Sequence, residues 1–366
     1  MDAVVCEAFG EARVEDVPMP SIGATDVLVE VKRVQLSVTE CNLYHGEEIA
    51  HYETVRDRLD GGSARLFGHE FCGEVVEVGD EVASFEPGDR VYAPGKIPCG
   101  ECNYCTSGRA LHCTDKTYIG YDIPGALAEY VSLPAEPLCR VPEGVSDAEA
   151  AAMQPLASSV LCLRDAGIEQ GDIVAVVGTG VMGFQSAQLA LLQGASDVIV
   201  VDIDPRKLDI AARHGLSPID ATSTDAVTAV RERTGGIGAD VVIEAVGGDQ
   251  DHGTDGSDPL AQAVDMVTRG GTVLQVGYII GDLTVTPRTL RSKSVDWINP
   301  VSGLLTLGPG RTTGTLAARL VEQGRISIDD YITHELSGLD SFERAVEMTL
   351  HKEQYGALGP AQIVLS

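Results

Sequence analysis

The chain has 366 residues, with 26 Lys and Arg against 55 Asp and Glu, for a formal charge of −29. A field of that sign repels phosphate backbones and anionic lipid surfaces, which excludes nucleic acid and the membrane surface as partners. With 44% hydrophobic residues the chain can bury a core, so the charge is not that of a disordered segment. Lysine is scarce, six residues against twenty arginines, and an acidic, lysine-poor surface suits a salt-rich cytosol where screening softens self-repulsion. The length exceeds what one core serves and predicts two domains. The N-terminal stretch MDAVVCEAFGEARVEDV lacks the basic start and apolar run of a signal peptide, and no window approaches the about 18 apolar residues of a membrane span. A soluble cytoplasmic protein is expected.

In chain order, the first 140 residues read as β-rich. DVLVEVKRVQLSV alternates as a half-buried strand does, and GEVVEVGDEVASFEPGDRVYA gives two short strands separated by Gly-Asp and Pro-Gly-Asp turns. HYETVRDRLDGGSAR is a polar insertion, read as a surface loop or short helix. ALAEYVSLPAEPLCRVP continues the strand style. From Ser146 the period changes: SDAEAAAMQPLASSVLCLRDAG is a helix with Ser146 as N-cap and Glu149 closing a capping box. Strands and helices then alternate through IVAVV, VMGFQSAQLALLQ, DVIVVDI, PRKLDIAARHG, AVTAVRERTG, ADVVIEAV, PLAQAVDMVTRG and GTVLQVG, the order of a doubly wound parallel sheet in an α/β fold. The strand runs are apolar throughout, as strands covered on both faces must be. HGTDGSDP (252–259) is an acidic, glycine-rich loop, and beyond about residue 297 the composition returns to loops, the helix GTLAARLVEQG and a short strand.

VVGTGVMG sets Gly178, Gly180 and Gly183 in G-x-G-x-x-G spacing between a strand and a helix. The first glycine permits the tight turn, the second lets backbone N–H groups, with Val181 and Met182, approach a pyrophosphate, and the third lets helix and strand pack closely. Asp202 ends the next strand, nineteen residues after Gly183, where a carboxylate accepts from a ribose 2′-OH and repels a 2′-phosphate. NAD is therefore expected over NADP, with Arg206 and Lys207 close enough to soften the preference. Four of the nine cysteines, Cys99, Cys102, Cys105 and Cys113, stand as C-x2-C-x2-C-x7-C. Four thiolates at such spacing wrap one tetrahedral zinc and leave no open position, which makes the site structural. An iron–sulfur centre takes similar ligands and is the rival.

A β-rich lobe with a four-cysteine insert, followed by a Rossmann domain, resembles the medium-chain, zinc-containing alcohol and polyol dehydrogenases, in the branch of the sorbitol and threonine enzymes. The resemblance covers essentially the whole chain and includes GHE at 68–70, GDRV at 88–91 and the helix AAMQPLASSV. It implies a GroES-like catalytic domain over 1–146 and 297–366, with the zinc lobe at about 95–116, and a Rossmann NAD-binding domain over 147–296. Gly277 joins the cofactor residues. The implied activity is hydride transfer between nicotinamide and a small alcohol, polyol or sugar, or its carbonyl, by a homodimer or homotetramer. Members hold a catalytic zinc through a cysteine, the His and often the Glu of G-H-E, and a Glu or Cys on the following helix. Here the cysteine falls on Ser37, the relay hydroxyl on Thr39, the aspartate behind the zinc-bound histidine on Glu40 and the relay histidine on Asn42. His69 and Glu70 match, and the Glu of the family's E-P-L-A falls on Gln154.

Two anionic ligands are thus neutral, which leaves His69 and Glu70 as a weak metal pair, since a hydroxyl and an amide oxygen bind Zn²⁺ feebly. Cys41, one helical turn from Ser37, is placed to rescue the site, whereas Cys72 points to the other strand face from His69. Without zinc its electrophilic role passes to donors such as Ser37, Thr39, Tyr44, His45 and His69. Trp297, Leu304 and Leu305 supply apolar lining for the substrate or for a subunit contact. The alternatives are a zinc-independent reductase of a polarised C=C or C=N bond, and a silent NAD-binding relative.

Overall fold

In the computed structural model, which describes every residue except 249–257, 281, 284, 302 and 366, the chain begins as a hairpin of Asp2–Ala8 against Glu11–Asp16. Asp26–Gln35 is the central strand of a seven-stranded sheet. One of its edges pairs antiparallel with Glu70–Val78, and the other with Tyr130–Pro134 and Gln362–Val364. Val27, Val29, Val31 and Val34 are buried on it and pack into a core with Phe71, Leu133 and Phe342. The strand stops at Gln35, earlier than the alternating run suggested, because Ser37 caps a helix, Val38–Tyr44. The insertion folds as the helix Tyr52–Asp60, entered through His51 in the left-handed region and burying only Val55. These elements, with the C-terminal residues, form a unit of 1–158 and 303–366.

The second unit, 159–302, contains six parallel strands. In chain order they are Ile173–Val177, Asp197–Asp202, Ser217–Asp220, Ala239–Glu244, Val267–Gln275 and Asp296–Ile298. They lie side by side as third, second, first, fourth, fifth, sixth, the doubly wound order in which ligands bind where the sequence of strands reverses. That switch point is flanked by Ile173–Val177 and Ala239–Glu244, which pair directly. The expected helix over 259–270 ends at Met266, and Val267 already begins the fifth strand. Its bend is glycine-dependent: Gly270 has φ +75, and a Cβ on Gly271 would meet Asp240 O at 2.6 Å. Residues 252–257 of the acidic glycine-rich run lie outside the described residues.

The contacts divide later than the composition suggested, at 158/159 and 302/303 rather than at 146/147 and 296/297. Two packing facts account for this. The helix Asp147–Ala151, with the Ser146–Glu149 capping box in place, packs on Glu70–Val78 and Asp26–Gln35, and Gln362 donates to Ala148 O at 2.9 Å. The strand around Trp297, for its part, pairs with Val267–Gln275 in the second unit. A break at Ala152 separates Asp147–Ala151 from the helix Met153–Cys162, so the single helix read from the sequence is two.

Candidate functional site

The G-H-E segment sits on a turn that needs glycine at position 68. Phe67 and Gly68 both have positive φ, +65 and +83, and a Cβ on Gly68 would meet Leu127 N at 2.7 Å. The facing backbone comes closer still: a Cβ on Gly125 would lie 1.7 Å from Phe67 O. A non-glycine residue held this way stores about 1–3 kcal/mol, a cost usually met at sites where geometry matters.

That turn delivers His69 and Glu70 to the end of the central sheet, and Glu40 fixes them. Its carboxylate is 1% exposed and accepts from Gly68 N at 2.7 Å, His69 N at 3.1 Å and His69 Nδ1 at 2.6 Å. Ser37 and Glu40 also form a capping box: Ser37 Oγ accepts from Glu40 N at 3.2 Å, and Glu40 accepts from Ser37 N. Behind Glu70 runs a chain of amides, with Gln35 donating to Glu70 Oε2 at 2.6 Å and accepting from Gln362 at 3.2 Å. Glu70 Oε1 lies 3.7 Å from His69 Nε2. Burial alone would push the His69 ring down, but the Glu40 carboxylate, helped by Glu70, raises it to about 9. Burial raises the Glu70 carboxyl to about 7, against the pull of His69 and Gln35.

Ser37, Glu40, His69 and Glu70 are thus joined by direct contacts. Gln154 is on the helix Met153–Cys162, and its Nε2 donates to Ser158 Oγ at 3.4 Å. Thr39 is half-buried in the first turn after Ser37. Tyr44 and His45 turn elsewhere, toward Glu343 and Glu347 of the helix Phe342–Leu350. Cys41 does not rescue a metal site: it is 1% exposed in the core, its thiol meets Thr349, and burial pushes it up. Cys72 donates to Asp147.

Spacing rules missed Tyr121, which is buried beside Ser37 and has its ring centroid 5.6 Å from His69, stacked on His51. The resemblance carried Glu40 only as the counterpart of an aspartate, without the turn it organises. The donors at this pocket do not fit a tightly held zinc. Ser37 Oγ is engaged as a cap, Gln154 offers an amide, and only His69 and Glu70 remain as strong ligands.

The cysteine lobe does fit. The sulfurs of Cys99, Cys102, Cys105 and Cys113 lie within 4.8 Å of one another, with contacts of 3.5 Å (99–113), 3.6 Å (102–105), 3.8 Å (102–113) and 4.0 Å (99–105). Tetrahedral zinc with bonds of about 2.3 Å has sulfur–sulfur edges near 3.8 Å. Backbone N–H groups lower two of the thiols, that of Cys105 acting on Cys102 and that of Cys99 on Cys113. Among the described residues this is the one cluster of three or more His, Cys, Asp or Glu donors arranged for a metal.

In the second unit Gly178 has φ +88, and a Cβ on Gly183 would lie 1.9 Å from Gly178 O, so helix and strand meet only through glycine. Gly180 is the N-cap of the helix Val181–Gln193, without a side-chain capping bond, and a Cβ there would meet nothing within 4 Å. The first N–H groups of that helix, including Val181 and Met182, have no partner within the helix, and the space beside Gly180 is open. Gly277 serves packing, since a Cβ would lie 2.5 Å from Gly247 N. Arg206 grips Asp204, the cap of its own helix, at 3.0 and 2.7 Å. Trp297 donates to Gln275 at 3.2 Å, while Leu304 and Leu305 line a groove with Lys96 and Arg109.

A doubly wound sheet with a glycine turn for a dinucleotide, and a β-rich unit with a four-cysteine zinc lobe, define a nicotinamide-dependent dehydrogenase. Residues 23–143 match the alcohol dehydrogenase GroES-like domain and residues 180–306 the zinc-binding dehydrogenase family. The chain is 31% identical over 359 residues to an L-threonine 3-dehydrogenase of Bacillus licheniformis, covering 94% of each chain. Among solved structures it is similar to the alcohol dehydrogenase TADH from Thermus sp. ATN1 (27% identity, all of both chains, TM-score 0.82). A putative zinc-binding dehydrogenase from Sinorhizobium meliloti 1021 bound to NADP is similar too (28% identity, 100% of this chain and 98% of that one, TM-score 0.83). The protein belongs to the zinc-containing medium-chain alcohol and polyol dehydrogenase family. It is an NAD(P)-dependent oxidoreductase, and zinc is among its cofactors. Among the described residues no helix is long and apolar enough to cross a membrane.

Proposed function

We propose that this chain interconverts a small alcohol, polyol or sugar and its carbonyl, with His69 handling the proton at the reacting oxygen. The supporting observation is the 2.6 Å bond from His69 Nδ1 to the buried Glu40 carboxylate, which fixes the ring and leaves Nε2 as its working atom. The dinucleotide supplies the hydride acceptor or donor when bound. The N–H groups of Val181, Met182 and Gly183 hold its pyrophosphate, Gly178 and Gly180 keep that approach open, and Cys99, Cys102, Cys105 and Cys113 hold the structural zinc that ties their lobe together. In the reduction direction His69 Nε2 gives its proton to the oxygen of the carbonyl as the carbon gains hydride; in oxidation the hydroxyl proton returns to it. Glu40, helped by Glu70, keeps the ring charged, and Ser37, Thr39 and Gln154 orient the substrate through neutral hydrogen bonds.

The test is coenzyme reduction on a panel of L-threonine, butane-2,3-diol, polyols and aldoses. His69→Gln is expected to lower kcat/KM by about 100-fold with coenzyme Kd unchanged; activity kept within about threefold would sink the role. A second reading is favoured by the engaged Ser37 hydroxyl: reduction of a polarised C=C bond, which needs an acid and no metal. Turnover of enones with none of alcohols would establish it. The chain is further proposed to act in the cytoplasm as a homodimer or homotetramer, which light scattering on the purified protein checks.

A further inference from the structure

The sequence places Asp202 where a carboxylate reads the adenosine ribose, but the structure engages that carboxylate elsewhere. It is 8% exposed. Oδ2 accepts from Thr179 N at 2.7 Å and Thr179 Oγ1 at 2.6 Å, and Oδ1 accepts from Ile203 N at 2.8 Å and Asp204 N at 2.9 Å. A carboxylate has about four lone-pair sites, and these four donors fill them. The Lys207 ammonium, 3.9 Å from Oδ1, offsets more of the charge. A ribose 2′-OH therefore finds no open acceptor on Asp202, and a 2′-phosphate meets a carboxylate whose field four donors and one cation already weaken.

We infer that Asp202 clamps the glycine turn instead of reading the ribose, that Thr179 is the specificity-determining residue that holds it there, and that this chain takes a 2′-phosphorylated nicotinamide dinucleotide about as readily as NAD. Three of the four donors are backbone N–H groups that any side chains at 179, 203 and 204 would supply. The fourth is the Thr179 hydroxyl, the one that depends on residue type. Thr179 is fully buried between Gly178 and Gly180, so no solvent competes for that hydroxyl, and a ribose must break a short bond to a charged acceptor to displace it. The inference rests on Gly178–Gly183 being the dinucleotide cradle.

The test is fluorescence titration of NADH and NADPH against the full-length protein and its Thr179→Val and Thr179→Ser variants. The wild type should bind the two coenzymes with Kd values within about threefold of each other. Thr179→Val keeps the shape, deletes the hydroxyl and opens one acceptor site, which should shift the Kd ratio about tenfold toward NADH. Thr179→Ser restores the hydroxyl and should return the wild-type ratio, which separates a hydrogen-bond effect from a packing effect. A wild-type preference for NADH above about threefold, or a Val variant with an unchanged ratio, overturns the inference. Wild-type protein that binds neither coenzyme overturns the cradle reading, and this inference with it.

Discussion

The cysteine lobe and the His69 pocket lie in the same unit of the chain, and the family's zinc chemistry applies to them differently. The lobe draws four sulfurs from one short segment, Cys99 to Cys113, and their edges match a tetrahedral ion. The pocket draws its groups from segments far apart in sequence, and the fold already engages them in hydrogen bonds with one another and with their neighbours. Ser37 caps a helix, Gln35 and Glu70 share a hydrogen bond, and Glu40 organises the turn before His69. A ligand set held on one loop survives or fails as a block. A set assembled from distant strands can be lost one residue at a time while the scaffold stays intact, so family membership assigns the fold without assigning every ligand.

The strongest way to test this contrast is to remove the lobe's ion. Replacing Cys99 and Cys102 by Ser should take zinc from about one per chain to none and lower Tm by roughly 10 °C or more, as loss of a structural zinc site does. Two zinc ions per wild-type chain, with one surviving this double substitution, would erase the contrast. Glu40→Ala should come next, at about 3–5 kcal/mol, because it strands three backbone N–H groups and a buried imidazole. Chemical denaturation measures it, and a cost below about 1 kcal/mol would mean that the turn does not depend on Glu40.

The pocket's charge gives the next test. The folded His69 pKa, about 9, lies above its ordinary value, so its stabilisation is full below about pH 6.5 and is lost as pH rises through 9. Glu70, raised to about 7, acts in the same direction: the folded state favours its protonated form, so stability falls as pH climbs from about 4.5 to 7. Stability should drop on the order of 2–3 kcal/mol between pH 6.5 and 9, and His69→Gln should flatten that limb. A zinc ion on Nε2 would displace the proton and reverse the trend, with stability rising toward neutral pH.

How legible each region was follows from the range of its contacts. The Rossmann strands, the glycine turn, the capping box at Ser146 and the cysteine lobe all depend on residues within about twenty positions of one another, and spacing exposes such patterns. Glu40 binding the 68–69 turn, Tyr121 beside Ser37, and Cys41 facing Thr349 depend on pairings across 28 to 308 positions, which no local period encodes. Asp202 is the instructive middle case: its position was readable, but its partner Thr179 was not. The early end of the helix at Met266 belongs with the long-range group, because Gly271 approaches the neighbouring strand at Asp240.

Ser37 gives the smallest expected effect and the closest comparison of the two regions. Its hydroxyl is occupied because serine is a good helix N-cap, whereas a thiol caps poorly and is a strong zinc ligand. Ser37→Cys should therefore cost about 1 kcal/mol in metal-free protein, the usual loss of a cap. In the presence of zinc it should bind a second equivalent, because the thiol joins His69 and Glu70 as a third strong donor. Metal analysis and denaturation on the same sample read both effects. A loss of stability without a second ion would show that the pocket is closed to zinc by more than the identity of one residue, and would put Gln154 and the bond from Gln35 to Glu70 next in line.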